Sequence, residues 1–152
     1  MGRLKTGDRI PAFKLADQNG NMVSSEDFRG KKLLVYFYPK ADTPGCTKQA
    51  CSVRDSIDDL SGLNVAVVGI SPDTSAKQKK FEKKYDLNFP LLADTDRRVA
   101  EAFGTWGEKS MYGKKLMGII RSSFLVDEGG RIMHAWYNVK PLDTVPNVQK
   151  AL

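Results

Sequence analysis

"LLVYFYPKADTPGCTKQAC", from Leu33 to Cys51, decides the fold. Its first six residues are an unbroken run of aliphatic and aromatic side chains, the pattern of a strand covered on both faces of a parallel sheet. Pro39 ends that strand, "KADTPG" supplies turn-forming residues, and a new period starts at Cys46. Cys46, Ala50, Val53, Ile57 and Leu60 are spaced four, three, four and three, which is the buried stripe of a helix, and Ser61-Gly62 closes it. "VAVVGI" (Val65 to Ile70) then reads as a second fully covered strand.

Working outward, "SPD" leads into a helix over about Thr74 to Tyr85, with a short strand at Phe89 to Leu92 and a helix over about Arg97 to Phe103 before Gly104. "SSFLVD" and "RIMHAWYNV" flank Glu128 to Gly130 as an antiparallel hairpin, and "TVPNVQKAL" ends the chain as a helix. Asn19-Gly20 marks a further hairpin turn near the front. The expected architecture is one three-layer α/β domain over residues 1–152, with parallel and antiparallel strands in its central sheet and an N-terminal hairpin.

Composition narrows the function classes. A chain of 152 residues, 41% hydrophobic, buries roughly 68–70% of the surface its unfolded form exposes, an ordinary core for one domain. No apolar run approaches the ~20 residues of a membrane span, and "MGRLKTGDRIPAF" lacks the apolar stretch of a secretory signal, so no membrane partner and a cytoplasmic location are expected. Met1, Gly2 and Thr6 match a myristoylation template too short to be more than coincidence. The formal charge of +6 raises nucleic acid as a partner, with "KQKKFEKK" at Lys77 to Lys84 as the densest cluster. Phe81 and Tyr85 stand four apart in it, so it reads as an amphipathic helix with a solvated lysine face, and no nucleic-acid partner is expected.

Both cysteines of the chain, Cys46 and Cys51, lie in the opening stretch. Four intervening residues do not make a C-x-x-C dithiol motif. A closed zinc site needs four ligands, and the chain adds only the distant His134 and carboxylates, so no metal and no cofactor are expected. His134 has no thiol or carboxylate at useful spacing and receives no role. Cys46 stands where a helix starts. Unpaired N–H groups and the positive end of the macrodipole favour a thiolate at such a position, and reactive thiols so placed titrate at ~3.5–7.5 against about 8.5 for free cysteine. Five helical residues separate two Cα atoms by roughly 8.7 Å, beyond the ~7 Å limit of a disulfide. A bridge between Cys46 and Cys51 therefore requires the first turn to unwind. The pair fits a peroxide-reactive thiol with a partner, and also a dithiol exchange protein or redox sensor.

"YFYPKADTPGCTKQAC", with "VVGISPD", "FPLLAD" and "WGEKSMYGKKLMGIIRSSF" downstream, resembles the bacterioferritin comigratory protein, or peroxiredoxin Q, family of thiol peroxidases along essentially the whole chain. The family pattern P-x-x-x-T-x-x-C falls on Pro39, Thr43 and Cys46, and its later arginine falls on Arg121. The resemblance implies a thioredoxin-like fold, a peroxidatic Cys46 and a resolving Cys51. It also implies hydrogen peroxide or alkyl hydroperoxide as substrate, a thioredoxin-type reductant and a monomer. Arg121, Thr43 and backbone N–H groups would stabilise charge on the departing oxygen, while Pro39 shapes the loop. Gln49 stands where the family often has glutamate, which puts any role needing that charge in question. Trp106, Met111, Tyr112 and Met117 read as packing residues in preference to a wall beside the site.

Overall fold

The structure, a computed structural model, describes residues 3–152; the template at Met1 and Gly2 lies outside the described residues. Strands β1 (Lys14–Ala16) and β2 (Met22–Ser24) form the hairpin around Asn19-Gly20, where Gly20 takes a φ of 81°. The stretch that decides the fold gives β3 (Lys32–Phe37) and α1 (Pro44–Gly62). Then come β4 (Val65–Ser71), α2 (Ser75–Tyr85), β5 (Leu91–Ala93) and α3 (Arg98–Ala102). A separate hairpin of β6 (Trp106–Met111) and β7 (Lys114–Ile119) precedes β8 (Ser122–Val126), β9 (Ile132–Trp136) and α4 (Thr144–Ala151).

One seven-stranded sheet runs β2-β1-β5-β4-β3-β8-β9. The β3–β4 and β4–β5 pairs are parallel, and the outer pairs are antiparallel, so the mixed sheet expected from the sequence is present. Alternation along β3 explains why its run is apolar throughout. Leu34, Tyr36 and Tyr38 enter one core with Cys46, Ala50 and Val53 of α1, Phe81 of α2 and Val148 of α4. Leu33, Val35 and Phe37 enter the other with Val99 and Phe103 of the α3 segment and Phe124 of β8. Two helical layers thus enclose the sheet. In β4, Gly69 sits opposite Tyr36, where a Cβ would meet the phenol ring at 3.0 Å; no larger residue leaves room for that ring.

Three details depart from the sequence reading. The strand expected at Phe89 to Leu92 starts two residues later, because Pro90 has no N–H to give a ladder; its carbonyl instead accepts from Gly69 N–H at 3.0 Å. Helix α1 begins at Pro44, whose fixed φ suits the first helical position, and Cys46 is the third residue of the helix. The β6–β7 hairpin was not anticipated. Its turn is Tyr112-Gly113, both at positive φ (52° and 77°), a substitute for the usual Asn-Gly or Asp-Gly pair. His134 is exposed on β9 and stacks on Trp136, with ring centroids 5.3 Å apart.

Candidate active site

The loop between β3 and α1 is held from below by buried polar side chains. Tyr38 donates its hydroxyl to Gln78 Oε1, Gln78 Nε2 donates to Ser71 Oγ at 2.8 Å, and Ser71 donates to Asp73 Oδ2 at 2.7 Å. The same Asp73 oxygen accepts from Ala41 N–H at 2.7 Å, so the chain of bonds ends on the loop itself. Burial pushes the Tyr38 phenol far above its ordinary pKa and keeps it a neutral donor. Asp42, left-handed at a φ of 62°, accepts from Tyr85 Oη at 2.7 Å and from Lys84 Nζ at 2.9 Å. Those bonds hold its carboxyl below the usual range. The loop is therefore clamped to α2 at two points, and its shape does not depend on turn residues alone.

From this loop Thr43 enters α1 in an extended conformation, and the first helical bond, Thr47 N–H to Thr43 carbonyl, is closed at 2.8 Å. Cys46 lies in that first turn, 1% exposed. Arg121, on the two-residue link between β7 and β8, places Nη1 and Nη2 each 3.5 Å from Cys46 Sγ. A guanidinium carries a permanent charge and planar donors, so this contact favours negative charge on sulfur. Gly45 makes the approach possible, since a Cβ there would lie 3.2 Å from Arg121 Nη2.

Gln49 fixes the guanidinium. Arg121 Nη1 donates to Gln49 Oε1 at 2.6 Å, and Gln49 Nε2 donates to Thr144 Oγ1 of α4 at 2.9 Å. The neutral amide thus bridges two partners, its oxygen accepting from the guanidinium and its NH2 donating to the Thr144 hydroxyl. Replacing Gln49 by leucine leaves a guanidinium donor and a buried hydroxyl without that partner. Urea unfolding is expected to show a loss of roughly 1–3 kcal/mol, and Gln49→Glu, which keeps the acceptor, is expected to lose less.

Beside Arg121 opens a groove of about 560 Å³, lined on one side by Pro39, Thr43 and Arg121 and on the other by Trp106, Lys109 and Met117 of the β6–β7 hairpin. Thr43 donates its hydroxyl proton to Lys40 carbonyl at 2.8 Å, which leaves the oxygen as an acceptor. Arg97 stacks over Trp106 at 4.3 Å and fixes the indole. Burial, and then Arg121, lower the pKa of Lys109. Trp106 and Met117 both line the groove; Trp106 also packs against the core of Phe37 and Phe124, so the packing expected from sequence holds for it, whereas Met117 is exposed and serves only the wall. Tyr112 is 98% exposed at the hairpin tip and does neither, while the Met111 side chain lies outside the described residues.

Cys51 is half-buried further along the same unbroken helix, and both cysteines are free thiols. The structure thus brings Pro39, Thr43 and Arg121 together in the lining of one groove, with Cys46 buried behind it 3.5 Å from Arg121, while Cys51 makes no contact with this group. Gly45, Thr144 and the Tyr38–Gln78–Ser71–Asp73 relay were not found from sequence. Among the described residues, no three His, Cys, Asp or Glu side chains come together as a metal-holding group.

The model of the AhpC/TSA family matches residues 6–135. The chain is 52% identical over 150 residues to a putative peroxiredoxin of Mycobacterium tuberculosis, covering 99% of this chain and 96% of that protein. It is also 52% identical over 140 residues to peroxiredoxin Bcp of Escherichia coli, covering 92% and 90% respectively. A solved structure of the bacterioferritin comigratory protein of Xanthomonas campestris, described in terms of its alkyl peroxide reduction activity, superposes with a TM-score of 0.85 at 30% identity, covering 95% of this chain and 98% of that one. A family match over most of the chain, joined by agreement in sequence and in three dimensions, means that this chain belongs to the AhpC/TSA family as a Bcp-type peroxiredoxin of thioredoxin-like fold, a peroxidase.

Proposed function

We propose that this chain reduces hydrogen peroxide and organic hydroperoxides with Cys46 as the attacking thiolate and Cys51 as the resolving thiol. The observation that carries the reading is the pair of Arg121 nitrogens 3.5 Å from Cys46 Sγ, at the floor of a groove lined by Thr43 and Pro39. A dithiol exchange protein needs no such guanidinium, and it needs no groove able to take a small oxygen substrate.

The Cys46 sulfur attacks one peroxide oxygen, an S–O bond forms and the O–O bond breaks. The departing oxygen takes a proton and leaves as water or an alcohol, and Cys46 becomes a sulfenic acid. Arg121 donors and the backbone N–H groups of the first turn of α1 face the charge that develops on oxygen. Thr43, its proton committed to Lys40 carbonyl, accepts the hydrogen of the hydroperoxide and so orients it. Pro39 narrows the approach by shape. The apolar wall of Trp106 and Met117 suits an alkyl peroxide, the substrate class attached to the Xanthomonas relative.

Resolution joins Cys51 sulfur to Cys46 sulfur and expels the sulfenic oxygen as water. Both residues lie in one continuous helix, so the first turn of α1 unwinds to close the bond. A thioredoxin-type dithiol then returns two electrons and two protons through a mixed disulfide. We further propose a cytoplasmic location, and a monomer because one chain can supply every group the cycle uses.

The test is to treat Cys51→Ser with one equivalent of peroxide in the presence of dimedone. The expected result is a dimedone adduct on Cys46, and absence of an adduct would overturn the assignment. The same variant is expected to complete one turnover at a wild-type rate and then to lose most of its thioredoxin-dependent recycling. NADPH consumption coupled through thioredoxin and its reductase measures that loss.

A further inference from the structure

The lysine cluster at Lys77 to Lys84 plays no part in the chemistry above, yet α2 carries it to the edge of the active-site loop. Lys77, Lys80 and Lys84 fall on one exposed face at helical spacing, and Lys40 of the loop faces them across a concavity of about 350 Å³. Its floor is apolar, formed by Phe81 and Ala41. Two carboxylates border it, Asp73, whose Oδ2 accepts from Ala41 N–H and Ser71, and Asp42, which accepts from Lys84 and Tyr85, so Lys40, Lys77, Lys80 and Lys84 face only Asp42 and Asp73. Among the described residues, Lys40, Lys77 and Lys80 have no ion-pair partner within 4.0 Å. The concavity therefore keeps a surplus of positive charge.

Its position relative to the second thiol is also defined. Cys51 and Arg54 are neighbours one turn apart on α1, and Arg54 Nη1 donates to Tyr85 carbonyl at the end of α2, 2.7 Å away. The face of α1 that bears Cys51 is thus turned toward α2. Lys84 ends the basic row at that end of α2, and Lys40 lines both this concavity and the peroxide groove, so a disulfide closed at Cys51 would lie within reach of a partner seated on the surface.

We propose that the concave basic surface between Lys40 and α2 is the docking site of an acidic reductant protein, whose carboxylates meet Lys40, Lys77 and Lys80 while its dithiol reaches the Cys46–Cys51 disulfide. This rests on the thioredoxin-type recycling proposed above. Charge complementarity selects the occupant: the lysines of the rim outnumber the neighbouring carboxylates, and exposed charges of this kind act chiefly on encounter rate.

The experiment compares wild type with Lys77→Glu/Lys80→Glu, both sites exposed and outside the catalytic groove, using a thioredoxin of net negative charge and, separately, dithiothreitol. The expected result is a fall of about tenfold in kcat/KM for thioredoxin, with turnover on dithiothreitol unchanged. Raising salt from about 50 to about 300 mM is expected to slow the wild type with thioredoxin much more than the variant. A kcat/KM for thioredoxin within about twofold of wild type would overturn the docking surface and leave thioredoxin recycling standing. Wild-type turnover on dithiothreitol but none on thioredoxin would overturn both, while leaving the peroxidase chemistry intact. Loss of duplex DNA binding in the variant, with unchanged thioredoxin kinetics, would reassign the surface to nucleic acid.

Discussion

Cys46→Ser is expected to abolish peroxide turnover, lowering the rate by about six orders of magnitude, the scale on which losing a catalytic nucleophile acts. An alkyl hydroxyl is not ionised near neutral pH, and its oxygen has no counterpart to the sulfenic acid that stores the transferred oxygen atom. The loss is chemical, because serine fits the buried site in the first turn of α1 and Thr47 N–H still closes on Thr43 carbonyl. Peroxide consumption with excess dithiothreitol measures it directly. Residual turnover near wild type would move the attacking role to Cys51, the other free thiol.

Arg121→Met carries the second large effect. The substitution removes both donors to Cys46 Sγ and the bond to Gln49, while keeping an unbranched apolar stem. Removal of one preorganised donor to developing charge costs about 10²–10³ in rate, and Arg121 supplies charge as well as two nitrogens, so the second-order rate of Cys46 oxidation is expected to fall by at least ~10²-fold. Arg121→Lys is expected to recover only part of it. An ammonium restores the charge but cannot reach sulfur and Gln49 with the same planar fork. Stopped-flow oxidation of the reduced protein separates this step from recycling, which neither substitution addresses.

How legible this was from sequence differs by the range of the interaction. The β3–α1–β4 unit follows from two continuous apolar runs and the four-three-four-three stripe from Cys46 to Leu60, signals that packing then used as read. Pro39, Thr43 and Cys46 are close in sequence, and their relation to one another could be seen there. The β6–β7 hairpin escaped because Tyr112-Gly113 is not a usual two-residue turn and its strands are rich in lysine, so the alternation carried no clear apolar face. The Gln49 bridge was beyond reach for another reason: its partners lie 72 residues away at Arg121 and 95 away at Thr144, and no local pattern encodes contacts of that separation. The relay from Tyr38 to Asp73 is of the same kind, polar residues that look like loop and helix surface until α2 packs against β5 and Gln78 reaches Ser71 at the end of β4.

The unbroken helix through both thiols has a dynamic consequence. In the proposed resolution, opening the first turn would break the Thr47 to Thr43 bond and withdraw Cys46 from Arg121, while Asp42 would still hold the preceding loop to Lys84 and Tyr85. On the proposed cycle, the reduced state would be the one organised for peroxide, and the oxidised state the one in which the disulfide can be reached.

Peptide mapping without reductant after one equivalent of peroxide, combined with amide hydrogen exchange over Thr43 to Val53, examines this most directly. The expected result is an intramolecular Cys46–Cys51 disulfide together with faster exchange at the start of α1 than in the reduced protein. Oxidised protein lacking that disulfide, or carrying it with unchanged protection in α1, would contradict resolution by unwinding.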